Sequence, residues 1–243
     1  MRRRLMILAG GLAAGAASAQ MPKFDDILKG LGKRSDAPPG KSGAADEKSS
    51  AAGIKEALAI GTEKAVTSLS RKDGYFANHA VKILMPSSIQ KVAEVMSKLG
   101  FERQVDEFVL SMNRAAEAAA PLASRFFGDA IRGMSLTDAR ALVTGGKTSA
   151  TDFFREKTHG KLYTAFKPVV SQKVGEVGAT RSYTDLIGRY DKLPFVNSQS
   201  LDLDDYVTNK SLDGLFVMVA EEEKSIRSNP AARTTDLLKM VFG

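Results

Sequence analysis

From residue 53 onward the apolar side chains return every three or four positions, a spacing that leaves one class of fold open. Ile54, Ala57, Leu58, Gly61, Ala65 and Leu69 share one helical face. Ile89, Val92, Ala93, Met96 and Leu99 form the next stripe, closed by Gly100, and Ser87 with Gln90 has the spacing of a capping box at its start. Phe101, Val105, Phe108, Val109, Met112, Ala116 and Ala119 make a longer face. Pro121 must break or bend that helix, because it lacks an amide hydrogen and collides with the preceding turn.

Ser135-x-x-Asp138 opens a short helix that Gly145-Gly146 stops, and Phe153-Phe154 sits in another short one ending at His159-Gly160. Leu162, Phe166, Val169, Val170 and Val177 continue the period, with a kink expected at Pro168. Tyr183, Leu186, Ile187 and Tyr190 add a turn or two before Pro194. The last long helix should start near Asp202 or Asp204. Its run Leu215 to Ala220 is apolar all round, the mark of a central buried helix, and Glu221, Glu222 and Glu223 then read as its return to water. No segment alternates apolar and polar residues, no two-residue turn joins β-branched runs, and only Tyr75 to Leu84 is ambiguous in period. The expectation is all-α: a single compact multi-helix bundle of seven to nine helices, with no fixed-period repeat.

The first residues belong to a different kind of sequence. Arg2, Arg3 and Arg4 precede a short apolar stretch, Leu5 to Ala16, too short to cross a hydrocarbon core of about 30 Å. Ala17-Ser18-Ala19 is a small-x-small cleavage site, so residues 1–19 read as a signal peptide and Gln20 as the mature N-terminus. Absence of cysteine excludes a lipid-anchored start, and the destination expected is the periplasm, with no transmembrane segment after cleavage. Residues 20–52 combine a small amphipathic segment, with Phe24, Ile27, Leu28 and Leu31 at helical spacing, and a Gly/Ser/Pro/charge mixture read as a flexible linker. The helical domain is then 53–243.

Charge and composition exclude several functions. Removing the three signal arginines lowers the formal net charge from +7 to +4, and the basic residues are interspersed with acids rather than gathered in a stripe. That pattern argues against a nucleic-acid partner. With no cysteine there is no disulfide framework, thiolate zinc site, iron–sulfur cluster or cysteine nucleophile, and two histidines cannot build a His-rich metal centre.

The partial motifs fail on their own requirements. Gly146-Lys147-Thr148 resembles the end of a phosphate-binding loop, but Ala141 stands where the first glycine belongs and Asp138 to Val143 reads as helix instead of strand. Ser88-x-x-Lys91, Ser111-x-Asn113 and Lys147-Thr148 follow the order of penicillin-binding enzymes, yet Ser149 replaces the closing glycine and no strand carries it. Glu156-x-x-His159 is a single copy of a step that di-iron bundles need twice, so neither metal nor cofactor is implied.

The most informative polar segment is Ser111 to Ala119. Asn113 and Glu117 stand one helical turn apart beside Arg114, near the seam set by Val105, Phe108 and Met112, and the alanines allow a neighbour to approach closely. The packing reading, a satisfied ion pair that fixes helix contacts, is preferred to a polar anchor in a binding groove. Arg227, Arg233 and Asp236 pose the same choice around Asn229-Pro230, with Thr234 or Thr235 capping a last helix and Leu237, Leu238 and Val241 docking it. These six residues, Asn113, Arg114, Glu117, Arg227, Arg233 and Asp236, are the candidate binding residues, and no catalytic residue is assigned.

Ser-Met-Asn-Arg-Ala-Ala-Glu at 111–117, Leu-Asp-Gly-Leu-Phe at 212–216, Glu221-Glu222-Glu223 and the string from Arg227 through Leu238 resemble an exported bacterial family catalogued as domain of unknown function 4197. The resemblance implies an exported helical domain and supplies no activity. The function expected is a non-catalytic binding or interaction domain of the cell envelope, its partner an envelope protein. Two alternatives are a carboxylate-based hydrolase of an envelope polymer, needing two acids in an open cleft, and a carrier of a small hydrophobic ligand, its cavity lined by Met112, Phe126, Phe127, Phe153 and Phe154.

Overall fold

A computed structural model describes residues 42–176 and 202–229, and every regular element in them is helical. The α-helices are α1 (Ser42–Ser70), α2 (Ser87–Met96), α3 (Glu102–Ala119), α4 (Ala123–Gly133), α5 (Leu136–Thr144), α6 (Ser149–Glu176) and α7 (Leu203–Ser228). The expected signal peptide, amphipathic segment, turn at Tyr183 to Tyr190 and cap at Thr234 or Thr235, with Arg233 and Asp236, lie outside the described residues.

Helix α7 packs against α6, α1 and α3, and α1 also meets α4 and α5. Phe108 and Met112 of α3, Phe127 of α4, Phe154 and Phe166 of α6 and Phe216 of α7 are fully buried in one cluster. Within it the Phe127 ring lies 5.0 Å from Phe154 and 6.2 Å from Phe216, in tilted and edge-on arrangements that aromatic quadrupoles favour.

Several breakers act where the sequence places them. Gly100 adopts φ 89° and separates α2 from α3, a conformation that only glycine takes without strain. Pro121 sits in a single 3-10 turn, Ala120–Leu122, between α3 and α4. Ser135 caps α5 in a full box, its hydroxyl accepting from the Asp138 amide while the Asp138 carboxylate accepts from the Ser135 amide. Asp202 caps α7 through the Asp205 amide at 2.9 Å.

Other expectations need correction. Residues 42–52, read as linker, are the first turns of α1: alanine, glutamate and lysine there are strong helix formers, and Ala51 and Ile54 bury against Met134, Ala139 and Leu142. Pro86 takes the position before α2, so Ser87 is already helical and makes no capping bond. The wide π turn Ser97–Phe101 rotates Leu99 out of its stripe and leaves it 59% exposed. His159-Gly160 does not end a helix: α6 runs through it and through Pro168, both Gly160 and Pro168 facing solvent while Phe154, Thr158, Leu162, Phe166, Val170 and Val174 keep an unbroken buried row. Val217 reaches solvent from within the apolar run of α7. Glu223, by contrast, does not return to water: it is buried.

Candidate functional site

The residues from Arg71 to Pro86 form turns between α1 and α2, and polar groups of α3 and α7 hold this segment down. Asn113 behaves as a one-residue strand. Its Oδ1 accepts from the Ile83 amide at 2.9 Å, and its Nδ2 donates to the carbonyls of Ile83 and Val109 at 2.8 Å each. One turn along α3, Glu117 Oε1 accepts from the amides of Tyr75 and Phe76, while Oε2 accepts from Arg114 Nη1 at 2.6 Å. Arg114 Nη2 donates to Asp73 Oδ1 at 2.7 Å, clasping a residue whose φ is 68°.

Burial works against the Arg114 charge, but the bonds to Glu117 and Asp73 outweigh it and hold its pKa above the ordinary arginine value. The Tyr75 hydroxyl donates to the Ser211 carbonyl of α7, and burial together with the nearby Glu117 charge pushes that phenol far above its usual range. Sequence therefore brings Asn113, Arg114 and Glu117 together correctly, and the geometry uses all three in packing. Ser111, the start of the same string, donates its hydroxyl to the Phe108 carbonyl.

A second buried carboxylate lies at the first turn of α6. Glu223 Oε1 accepts from the Ala150 amide at 3.0 Å, and Oε2 accepts from both the amide and the hydroxyl of Thr151 at 2.8 Å. The unpaired amides at a helix start carry partial positive charge, so an anion is stabilised there. Arg227, one turn beyond, donates through Nε and Nη2 to Glu223 Oε1, and through Nη2 to the Leu142 carbonyl and Ser149 Oγ. This cluster ties α7 to both ends of the α5–α6 connection. Nothing in the run Glu221 to Glu223 marks the third acid as buried; the signal is its four-residue offset from Arg227, a helical ion-pair spacing.

Beside this cluster is a small apolar cleft whose walls, Leu58 apart, are almost wholly buried. Its walls include Ile54, Ala57 and Leu58 of α1, Leu142 of α5, Phe154 of α6 and Ile226 of α7, with Thr62, Glu223 and Arg227 as its polar residues. Among the described residues it carries one acid, not the pair that a carboxylate hydrolase would need, and both oxygens of that acid already accept several bonds. Of the aromatic and methionine side chains expected to line a carrier cavity, only Phe154 borders the cleft; Met112 and Phe127 fill the core. His159 stacks on Phe216 at 6.2 Å, and Glu156 pairs with Lys157. Among the described residues no group of acids and histidines is arranged to hold a metal ion, and no helix is long and apolar enough to cross a membrane.

No curated protein and no solved structure matches the chain. Residues 44–243 match a family described as protein of unknown function DUF4197, a span that begins two residues into α1 and takes in both buried carboxylates, Asn113, and the 230–243 segment. The chain belongs to the DUF4197 family.

Proposed function

We propose that this chain is an exported, non-catalytic binding or interaction domain of the bacterial cell envelope. The observation that carries the non-catalytic part is the use made of its buried polar groups. Glu117, Asn113 and Glu223 accept from backbone amides, Arg114 and Arg227 close the circuits, and the surface beside the second circuit is an apolar cleft. Such a cleft suits recognition by buried apolar area, where a few anchors contribute most of the affinity. Export is supported by the three arginines, the short apolar stretch and the Ala17-Ser18-Ala19 site.

Fractionation of cells expressing the full chain, with N-terminal sequencing of the product, tests the compartment. The expected product begins at Gln20 and is released with the periplasm; an intact Met1 chain in the cytoplasm overturns it. For the binding part, a photo-crosslinking residue replacing Leu58 should give discrete adducts in the envelope that Ala57→Trp in the same chain removes. Digestion of purified envelope polymer by the mature protein, abolished by Glu223→Gln, would favour the hydrolase instead.

A further inference from the structure

Residues 71–86 cross the fold as a strap without regular secondary structure. Irregular connections of more than about 15 residues are uncommon in compact domains and mostly carry a function. This one is tied down along its length. Glu117 accepts from the amides of Tyr75 and Phe76, Asn113 takes both backbone groups of Ile83, and the Tyr206 hydroxyl donates to the Leu84 carbonyl at 2.9 Å. Its outward side chains therefore stand on a fixed backbone.

Those side chains are basic, with one large apolar group among them. From Ala80 to Met85 burial alternates as it does along extended chain: Val81, Ile83 and Met85 are buried, Ala80 and Leu84 are exposed, and Lys82 is half-buried between them. Lys82 Nζ lies 4.1 Å over the Phe76 ring, which brings its charge back toward the turn that carries exposed Arg71 and Lys72. Among the described residues none of these three cations forms an ion pair. Asp73, the acid beside them, is already bonded to Arg114, and no further acid occurs before Glu94. At the Tyr206 end, Asp202 and Asp205 of α7 face Lys167 of α6. The strap thus presents uncompensated positive charge next to Leu84, which is 57% exposed.

Cations held on a fixed backbone attract an anionic surface, and an apolar side chain among them gains only where it can leave water. A bilayer of anionic lipids meets both demands, with phosphates at headgroup level and hydrocarbon just beneath, whereas a soluble acidic polymer leaves Leu84 wet. We propose that the strap is a docking surface for anionic lipid headgroups, with Arg71, Lys72 and Lys82 against the phosphates and Leu84 entering the acyl boundary. This goes beyond the binding reading, uses residues that the cleft does not share, and stands whether or not the cleft takes a partner.

The chain has no tryptophan, so Leu84→Trp installs a single fluorescent reporter on the strap. The mature chain carrying it is mixed with vesicles of phosphatidylcholine, or of phosphatidylcholine and phosphatidylglycerol in equal amounts, and both co-sedimentation and emission are read. The expected result is co-sedimentation and a blue shift with the anionic vesicles alone, both lost at an ionic strength of about 1 M, where the screening length is about 3 Å. Arg71→Gln with Lys72→Gln and Lys82→Gln should weaken binding by about tenfold or more, since each cation near a charged bilayer contributes roughly fivefold. Lys147→Gln with Lys161→Gln and Lys224→Gln removes the same charge from exposed positions elsewhere and should leave binding nearly unchanged. Helical circular dichroism shows which variants fold, and Arg71→Gln with Lys72→Gln serves alone where Lys82→Gln is not tolerated. Absence of co-sedimentation with anionic vesicles overturns the proposal. So does an equal loss in the second triple variant, which would reduce the attraction to net charge, or co-sedimentation without a blue shift, which would leave Leu84 in water. Binding to inorganic polyphosphate in solution but to no vesicle also overturns it, and would give the cations to a soluble anion.

Discussion

Thr151 gives both its amide and its hydroxyl to one oxygen of Glu223, at 2.8 Å each, so a side chain of α7 caps the first turn of α6. The same carboxylate holds Arg227, whose guanidinium reaches back to the Leu142 carbonyl. One buried acid thus fixes where α6 begins, how α7 lies against it and where the cleft's polar edge stands.

Replacing Glu223 with alanine leaves two amides and the Thr151 hydroxyl without their acceptor and takes the counter-charge from Arg227, and should destabilise the domain by about 3 kcal/mol. Glu223→Ala with Arg227→Ala should cost less than the two single changes added together, because the second removes the charge that the first strands. Urea unfolding of the four proteins checks this; strict additivity would show that the pair is not coupled.

Asn113 satisfies both backbone groups of Ile83, so Asn113→Ala should cost about 2–4 kcal/mol, the cost of two buried groups left unpaired. Asn113→Asp is the sharper variant. It keeps the acceptor for the Ile83 amide but loses the donor for two carbonyls, so it should also destabilise, and hydrogen exchange at the Ile83 amide should quicken in both.

Gly214 of α7 lies under the Tyr75 ring. A Cβ there would stand 2.7 Å from Tyr75 Cε1 and 3.1 Å from Val81 Cβ. Gly214→Ala should therefore destabilise by about 1–3 kcal/mol despite alanine's better helix propensity. Thermal unfolding reads the change, and the same substitution beside Tyr75→Leu should cost less, because the ring is what the methyl strikes.

Much of this was written in local sequence. The stripes of α1 and α3, the stop at Gly100, the break at Pro121 and the box at Ser135 each depend on a few neighbouring residues, and each forms as read. The failures share a cause. His159-Gly160 looks like a helix end until one knows that Gly160 faces water while the buried row of α6 runs on. Glu223 looks like Glu221 and Glu222 beside it until α6 places three donors over it. Asn113, Arg114 and Glu117 were legible as a cluster, but their partners at Asp73, Tyr75, Phe76 and Ile83 lie 30 to 42 residues away, beyond any periodicity.

The capping box at α5 gives a pH dependence whose sign follows from its bonds. The Ser135 hydroxyl and amide both donate to Asp138 and hold its carboxyl below the usual aspartate range in the folded chain. Unfolding releases those bonds and returns the group to its ordinary pKa, so the unfolded chain binds the proton more readily. The box therefore contributes its full stability above the ordinary aspartate pKa, and that contribution fades as the pH falls through the lower folded value. Asp138→Asn removes the titrating group, so the stability difference between the natural chain and this variant should be constant near neutrality and shrink through the acid range. Chemical unfolding of both from pH 7 to pH 3 reads the difference directly, with every other carboxylate common to the two. A gap that widens toward acid would mean that Asp138 is stabilised in its protonated form, and the bonds from Ser135 would then have the opposite role.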